Sequence, residues 1–136
     1  MPAKPTPHTE RLRKAGLRPT RQRVALANLL FGRGDRHISA EQLHEEVSQT
    51  GAKVSLATVY NTMHQFTRAG LLRVVTVDGA RTYFDTNTGD HHHFYCEDDG
   101  TLQDIDGAGI AVSGVPQAPS GAKVERVDVI VRWSRR

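Results

Sequence analysis

The period of the apolar residues changes at Gly70, and that change decides what this chain can become. Before it, Leu56, Val59, Met63 and Phe66 recur at helical spacing behind Ser55, a residue suited to cap a helix, and Gly70 supplies the stop. After it, Leu71 to Val77 and Arg81 to Asp85 are rich in β-formers, with Asp78-Gly79 between them as a hairpin turn. Three more helices are expected upstream. Thr9 to Ala15 makes a short one ended by Gly16. Thr20 caps the second, with Val24, Ala27, Leu30 and Phe31 on its apolar face and Gly-Arg-Gly-Asp at 32–35 beyond it. Ser39 and Gln42 fit a capping box at the start of the third, whose buried face carries Leu43 and Val47. Helices followed by a hairpin predict a winged helix-turn-helix, and the hairpin is its wing.

Residues 86–93 are polar and end in His91-His92-His93, so a domain boundary is placed near 86–90. Three strands are expected beyond it, at Phe94 to Cys96, Thr101 to Ile105 and Val124 to Val131, the last with Val127, Val129 and Val131 on one face. Gly107 to Ala122 holds too many glycines and prolines for a long helix. The chain therefore reads as α+β: a flexible lead at 1–8, a winged-helix domain at 9–86, a hinge at 87–90 and a small C-terminal domain at 91–136. Three strands with little helical cover bury themselves poorly, and pairing with a second copy is the simple remedy.

Composition narrows the function. The single cysteine, Cys96, excludes a disulfide framework within the chain and a zinc site of paired cysteines, and points to a reducing cytoplasm. No apolar run nears the roughly 20 residues needed to span a bilayer. Residues 1–70 carry eleven Lys/Arg against five Asp/Glu, while residues 71–136 carry seven against ten. A basic front half with an acidic back half suits a nucleic-acid-binding module joined to something that is not one, and the winged helix-turn-helix makes double-stranded DNA the expected partner. The exposed face of the fourth helix fits a major groove: Asn61 offers a bidentate contact to adenine, and Thr58 and Tyr60 can bond bases or phosphate. Lys14, Arg18, Arg21 and Arg23 lie ahead of the second helix or in its first turn and can neutralise phosphates. Arg81 on the wing is another backbone candidate. Ser55 and Ala57 complete the reading end of the helix. Read blandly, these are solvated polar faces, or a protein-binding helix-turn-helix.

Seven histidines are many for this length, and three are adjacent. In an extended segment His91 and His93 point to one side and His92 to the other, so the first two can share an ion. With Asp85, Asp90 and Asp104 nearby, the donors are nitrogen and oxygen, which suits Fe²⁺, Mn²⁺ or Zn²⁺. Cys96 reads either as a thiolate ligand or as a small core residue. No glutamate flanks the histidines in a zincin-like spacing, so a metallohydrolase is disfavoured and no enzyme is expected.

The run Gly16-Leu17-Arg18-Pro19-Thr20-Arg21-Gln22-Arg23, then His37-Ile38-Ser39-Ala40-Glu41, then Ser55-Leu56-Ala57-Thr58-Val59-Tyr60, and then the triple histidine resemble the ferric uptake regulator (Fur) superfamily. Within it the chain looks most like the iron response regulator (Irr) branch. The resemblance covers residues 9 to about 106. It implies a homodimer with a C-terminal α/β dimerisation domain that binds AT-rich inverted repeats, with pairing of dimers into tetramers left open. It also implies a metal site of His37, Asp85, His91, His93 and Asp104 joining the two domains, taking Fe²⁺ or Mn²⁺, with Zn²⁺ a candidate in vitro.

The departures matter too. Asp99 stands where a second cysteine would follow Cys96, Ala111 and Val127 break the pattern of a second regulatory site, and the Gly/Pro-rich stretch replaces the helix that covers the dimer sheet. The iron response branch implies inactivation by haem, for which His91, His92, His93, Tyr95 and Cys96 offer axial ligands. A rival within the superfamily is a peroxide-sensing repressor, which aspartates at both Asp85 and Asp104 fit.

Overall fold

The computed structural model describes residues 7–78 and 81–135, and the chain forms two compact units, one ending at Thr88 and the other starting at Gly89. In the first, α1 spans Pro7–Lys14, α2 Arg21–Phe31, α3 Ala40–Gln49 and α4 Leu56–Arg68, and three strands, β1 His37–Ile38, β2 Arg73–Asp78 and β3 Arg81–Asp85, form one sheet in the order β1-β3-β2. This is a winged helix-turn-helix, with β2 and β3 as the wing.

The helix starts follow from local chemistry. The Thr20, Ser39 and Ser55 side chains each accept a hydrogen bond from the backbone three residues on, and the Ser39 backbone N–H donates to Gln42 Oε1, completing the capping box. After α4, Gly70 takes φ +82°, a left-handed turn that a side chain would resist. Leu12, Leu26, Leu30, Leu43, Val59, Met63, Phe66 and Phe84 pack into one core. Full burial of each such large aliphatic or aromatic side chain contributes about 1.5–3 kcal/mol.

Some expectations shift. The first helix starts at Pro7 rather than Thr9, so Pro7 and His8 leave the lead, and residues 1–6 lie outside the described residues. So do Gly79 of the expected turn and Ala80. Leu56 was placed on the buried stripe of α4 yet stays 42% exposed, because it occupies the first turn, beyond the reach of the core under Val59.

The second unit is a three-stranded sheet in the order β5-β4-β6, with β4 at His91–Cys96, β5 at Leu102–Asp106 and β6 at Ile130–Trp133, plus one 3₁₀ turn at Gly107–Gly109. Strand β4 runs antiparallel to β5 and parallel to β6. The strand expected from Val124 begins only at Ile130, since only from there does the chain enter the ladder beside His93. Gly107 sits where an added Cβ would lie 2.8 Å from the Asp90 carbonyl oxygen, a close approach that only glycine allows.

Candidate metal centre and nucleic-acid interface

Each unit carries its own set of donor atoms. In the winged unit, β1 pairs with β3 so that His37 stands opposite Asp85. The His37 Nε2 lies 3.3 Å from Asp85 Oδ2, with the Asp85 side chain 0% exposed. The other Asp85 oxygen, Oδ1, accepts from the Asn87 backbone N–H at 2.9 Å, which turns Oδ2 toward the histidine. The flanking residues pin both strands. Arg36 donates from its guanidinium to both Glu46 oxygens, at 2.9 and 2.6 Å, and to the Leu29 carbonyl at 2.9 Å. Its backbone N–H bonds Thr86 Oγ1 at 2.8 Å. The bonds from Arg36 hold the Glu46 carboxyl below the usual glutamate range.

In the second unit, the alternation of β4 puts His91 and His93 on one side, 4% and 1% exposed, with ring centroids 4.6 Å apart. Across the ladder His93 faces Asp104. One oxygen, Asp104 Oδ1, lies 3.5 Å from His91 Nε2 and 3.6 Å from His93 Nε2. These separations exceed a good hydrogen bond, and suit atoms ranged around one ion at about 2.0–2.2 Å. The His91 ring is oriented from behind: its Nδ1 meets the Gly89 carbonyl at 2.7 Å. A carbonyl only accepts, so Nδ1 carries the proton and Nε2 is the ring nitrogen with a lone pair able to ligate. Two imidazoles and a carboxylate with such support form a donor set that fits Fe²⁺ or Mn²⁺.

The residues singled out for haem have other surroundings. The His92 Nδ1 accepts from the Val129 backbone N–H at 3.1 Å, fixing the segment before β6. Tyr95 and Cys96 are 0% and 1% exposed, and the Arg132 guanidinium lies over the Tyr95 ring. The turn after Cys96 is held by the chain end: Arg132 pairs with Glu97 at 3.2 Å, and the Arg135 N–H bonds Asp98 at 3.0 Å. Asp99, in the place of a second cysteine, bonds Thr101, whose hydroxyl and N–H hold its carboxyl low.

On α4, Ser55, Ala57, Tyr60 and Asn61 are exposed and Thr58 is half-buried, and Lys14, Arg18 and Arg21 are exposed nearby on the same unit. The Ser55 hydroxyl is occupied as a cap, accepting from the Thr58 N–H and donating to Thr58 Oγ1 at 2.9 Å. Arg81 begins β3, and its side chain lies outside the described residues. Arg23, expected as a phosphate ligand, has donors engaged within the unit. Its Nε and Nη2 donate to Gln65 Oε1 at 3.3 and 3.0 Å, and Nη1 donates to the Arg18 carbonyl at 2.9 Å. It braces α2 against α4. Gln65 belongs to the polar face read for the fourth helix, but its pairing with Arg23, like that of Arg36 with Glu46, was missed, since nothing in the sequence marks which distant residues become partners.

The family model described as the ferric uptake regulator family matches residues 14–131. The ferric uptake regulation protein of Pseudomonas aeruginosa is 39% identical over 92 residues, 67% of this chain and 69% of that protein. The peroxide-responsive repressor PerR of Staphylococcus epidermidis is 34% identical over 94 residues, 69% of this chain, and the match spans 62% of the repressor's length. Among solved structures, the ferric uptake regulator from Pseudomonas aeruginosa with manganese aligns with a TM-score of 0.72 at 26% identity, covering 96% of this chain and 99% of that one. The chain belongs to the ferric uptake regulator family.

Proposed function

We propose that this protein is a metal-responsive transcription regulator that binds AT-rich inverted repeats in DNA as a homodimer and answers to iron through Fe²⁺ or Mn²⁺. The observation that carries the reading is the paired donor sets: His91, His93 and Asp104 on the C-terminal unit, and His37 with Asp85 on the winged unit. A bound divalent ion supplies the positive charge that lets buried imidazoles and carboxylates converge. His91, His93 and Asp104 would hold it in the C-terminal unit, and the resemblance adds His37 and Asp85 to the ligands. Residues of both units engaged at once would restrict the angle at which α4 meets DNA. The operator-binding population then grows only by as much as the closed arrangement binds metal better than the open one.

The test is a DNA titration on an AT-rich inverted repeat with chelator, with Mn²⁺ and with haem. Affinity should rise with Mn²⁺ and fall steeply with salt, because phosphate contacts release counterions. Equal binding with chelator and with Mn²⁺ would remove the sensor role. The haem arm, carried by the likeness to the iron response branch, asks for release of DNA when haem is added. It requires β4 to open, since Tyr95 and Cys96 are enclosed and His92 is bonded to Val129.

A peroxide-sensing repressor is the second reading, favoured by the all-nitrogen-and-oxygen donors with two aspartates and by the 34% identity to PerR. Oxidised His37 or His91, seen by mass spectrometry after peroxide treatment of the Fe²⁺ protein, would support it over the first.

A further inference from the structure

Tyr60 is 48% exposed on α4, on the face offered to DNA. A side chain so open would ordinarily sample several rotamers. Here the His64 ring, one turn further on, meets it nearly edge-on, with centroids 4.5 Å apart and planes at 62°. Helical side chains lean toward the N-terminus, so His64 lies over the surface beside Tyr60 and narrows its directions. His64 is held in turn. Its ring meets the Phe84 edge at 5.2 Å and 82°, and Phe84 is 1% exposed in the core. The residue after Phe84 is Asp85, whose carboxylate faces His37. Phe84, His64 and Tyr60 thus form a chain of three rings from the strand that carries the acid to the surface of the reading helix, all within the winged unit.

We infer that His64 is a positioning residue: it sets the direction of Tyr60 and passes to it the placement of β3 at Asp85. The inference rests on the metal-responsive, DNA-binding reading above and adds how the two ends of the winged unit communicate. Phe84 and Asp85 are neighbours on one strand with side chains on opposite faces, so a backbone shift that moves the carboxylate carries the phenyl ring with it. A close-packed core does not absorb that movement locally, and the ring in contact with Phe84 must follow. His64 touches both Phe84 and Tyr60.

The experiment reads Tyr60 directly. Ring-labelled tyrosine gives few NMR signals, because the chain has 3 tyrosines, and Tyr60→Phe assigns the one required. Titration of the full chain with diamagnetic Zn²⁺ should move the Tyr60 signal. In His64→Ala the signal should sit elsewhere without metal and stop responding to Zn²⁺, while Zn²⁺ affinity in a chelator competition stays within about twofold. His64→Phe, which keeps an aromatic edge, should restore the response. On DNA with Mn²⁺, His64→Ala should lose about fivefold in affinity, the scale of one aromatic contact. That loss should vanish in a Tyr60→Ala background. A Tyr60 signal unmoved by Zn²⁺ in the wild type, or an unaltered response in His64→Ala, overturns the inference. The two readings fail separately: a wild type that moves Tyr60 with Zn²⁺ but binds no DNA loses the regulator reading, and one that binds DNA with metal but leaves Tyr60 still loses the positioning role.

Discussion

An arginine in the first turn of a helix beside the face proposed to read DNA invites a phosphate, yet the donors of Arg23 go to Gln65 and to the Arg18 carbonyl. The distinction can be measured. A phosphate ligand replaced by alanine lowers the slope of log affinity against log salt by about 0.9. Arg23→Ala should weaken operator binding with that slope unchanged. Arg23→Lys should not rescue it, since an ammonium cannot span two donors to one amide oxygen while also reaching a carbonyl. A reduced slope would return Arg23 to the phosphate contacts. His93 belongs to the same scale. Removing even an outer partner of a metal ligand costs roughly 10–100-fold in affinity. His93→Ala should therefore cost at least that much in Mn²⁺ affinity, by calorimetry, while leaving the helical far-ultraviolet signal intact. Full metal response in that variant would contradict the assigned ligand set.

Among the elements, the short strand β1 owes its place to Arg36, which ties it to α2 and α3. The Glu46 carboxyl is held below its ordinary value by those bonds, so the stability it contributes is complete above the usual glutamate range. That contribution is lost as pH falls through the lowered value. Glu46→Gln should cost about 1 kcal/mol at neutral pH and show a shallower loss of stability on the acid side, both read by urea unfolding at several pH values. An acid profile parallel to the wild type would refute the linkage. The same elements show what a sequence discloses. Helices with their caps are local, so Thr20, Ser39 and Ser55 could be read directly, and strand alternation was enough to pair His91 with His93. Asp85 and Asp104 stood out beside the histidines together with Asp90, but only resemblance chose between the three and added His37, because which carboxylate faces which histidine is settled by register between strands. β1 is two residues long and has no period to detect. The alternation from Val124 looked like a strand, but partnership with β4 decides where β6 begins.

For the whole molecule, the C-terminal unit leaves Phe94, Val112, Val115, Val124, Val127 and Val131 exposed, and β5 and β6 are both outer strands of its sheet. Such a sheet is poorly buried alone, and the proposed homodimer gives its apolar residues a partner. Sedimentation at micromolar concentration should show a dimer that Val127→Glu with Val131→Glu converts to monomer. The single tryptophan, Trp133 on β6, should report that change in its fluorescence. A monomeric wild type would exclude the homodimer. Last, β3 ends at Asp85 and β4 begins at His91, so the donors of the two units are tethered by residues 86–90 alone. In the proposed shared site, a leash that short would keep the second set at high effective concentration once the first had captured an ion. Doubling its length with glycine and serine adds only about 0.6 kcal/mol of closure entropy, so Mn²⁺ affinity should drop by roughly threefold. Metal sensing should therefore tolerate a longer leash far better than the loss of any one ligand.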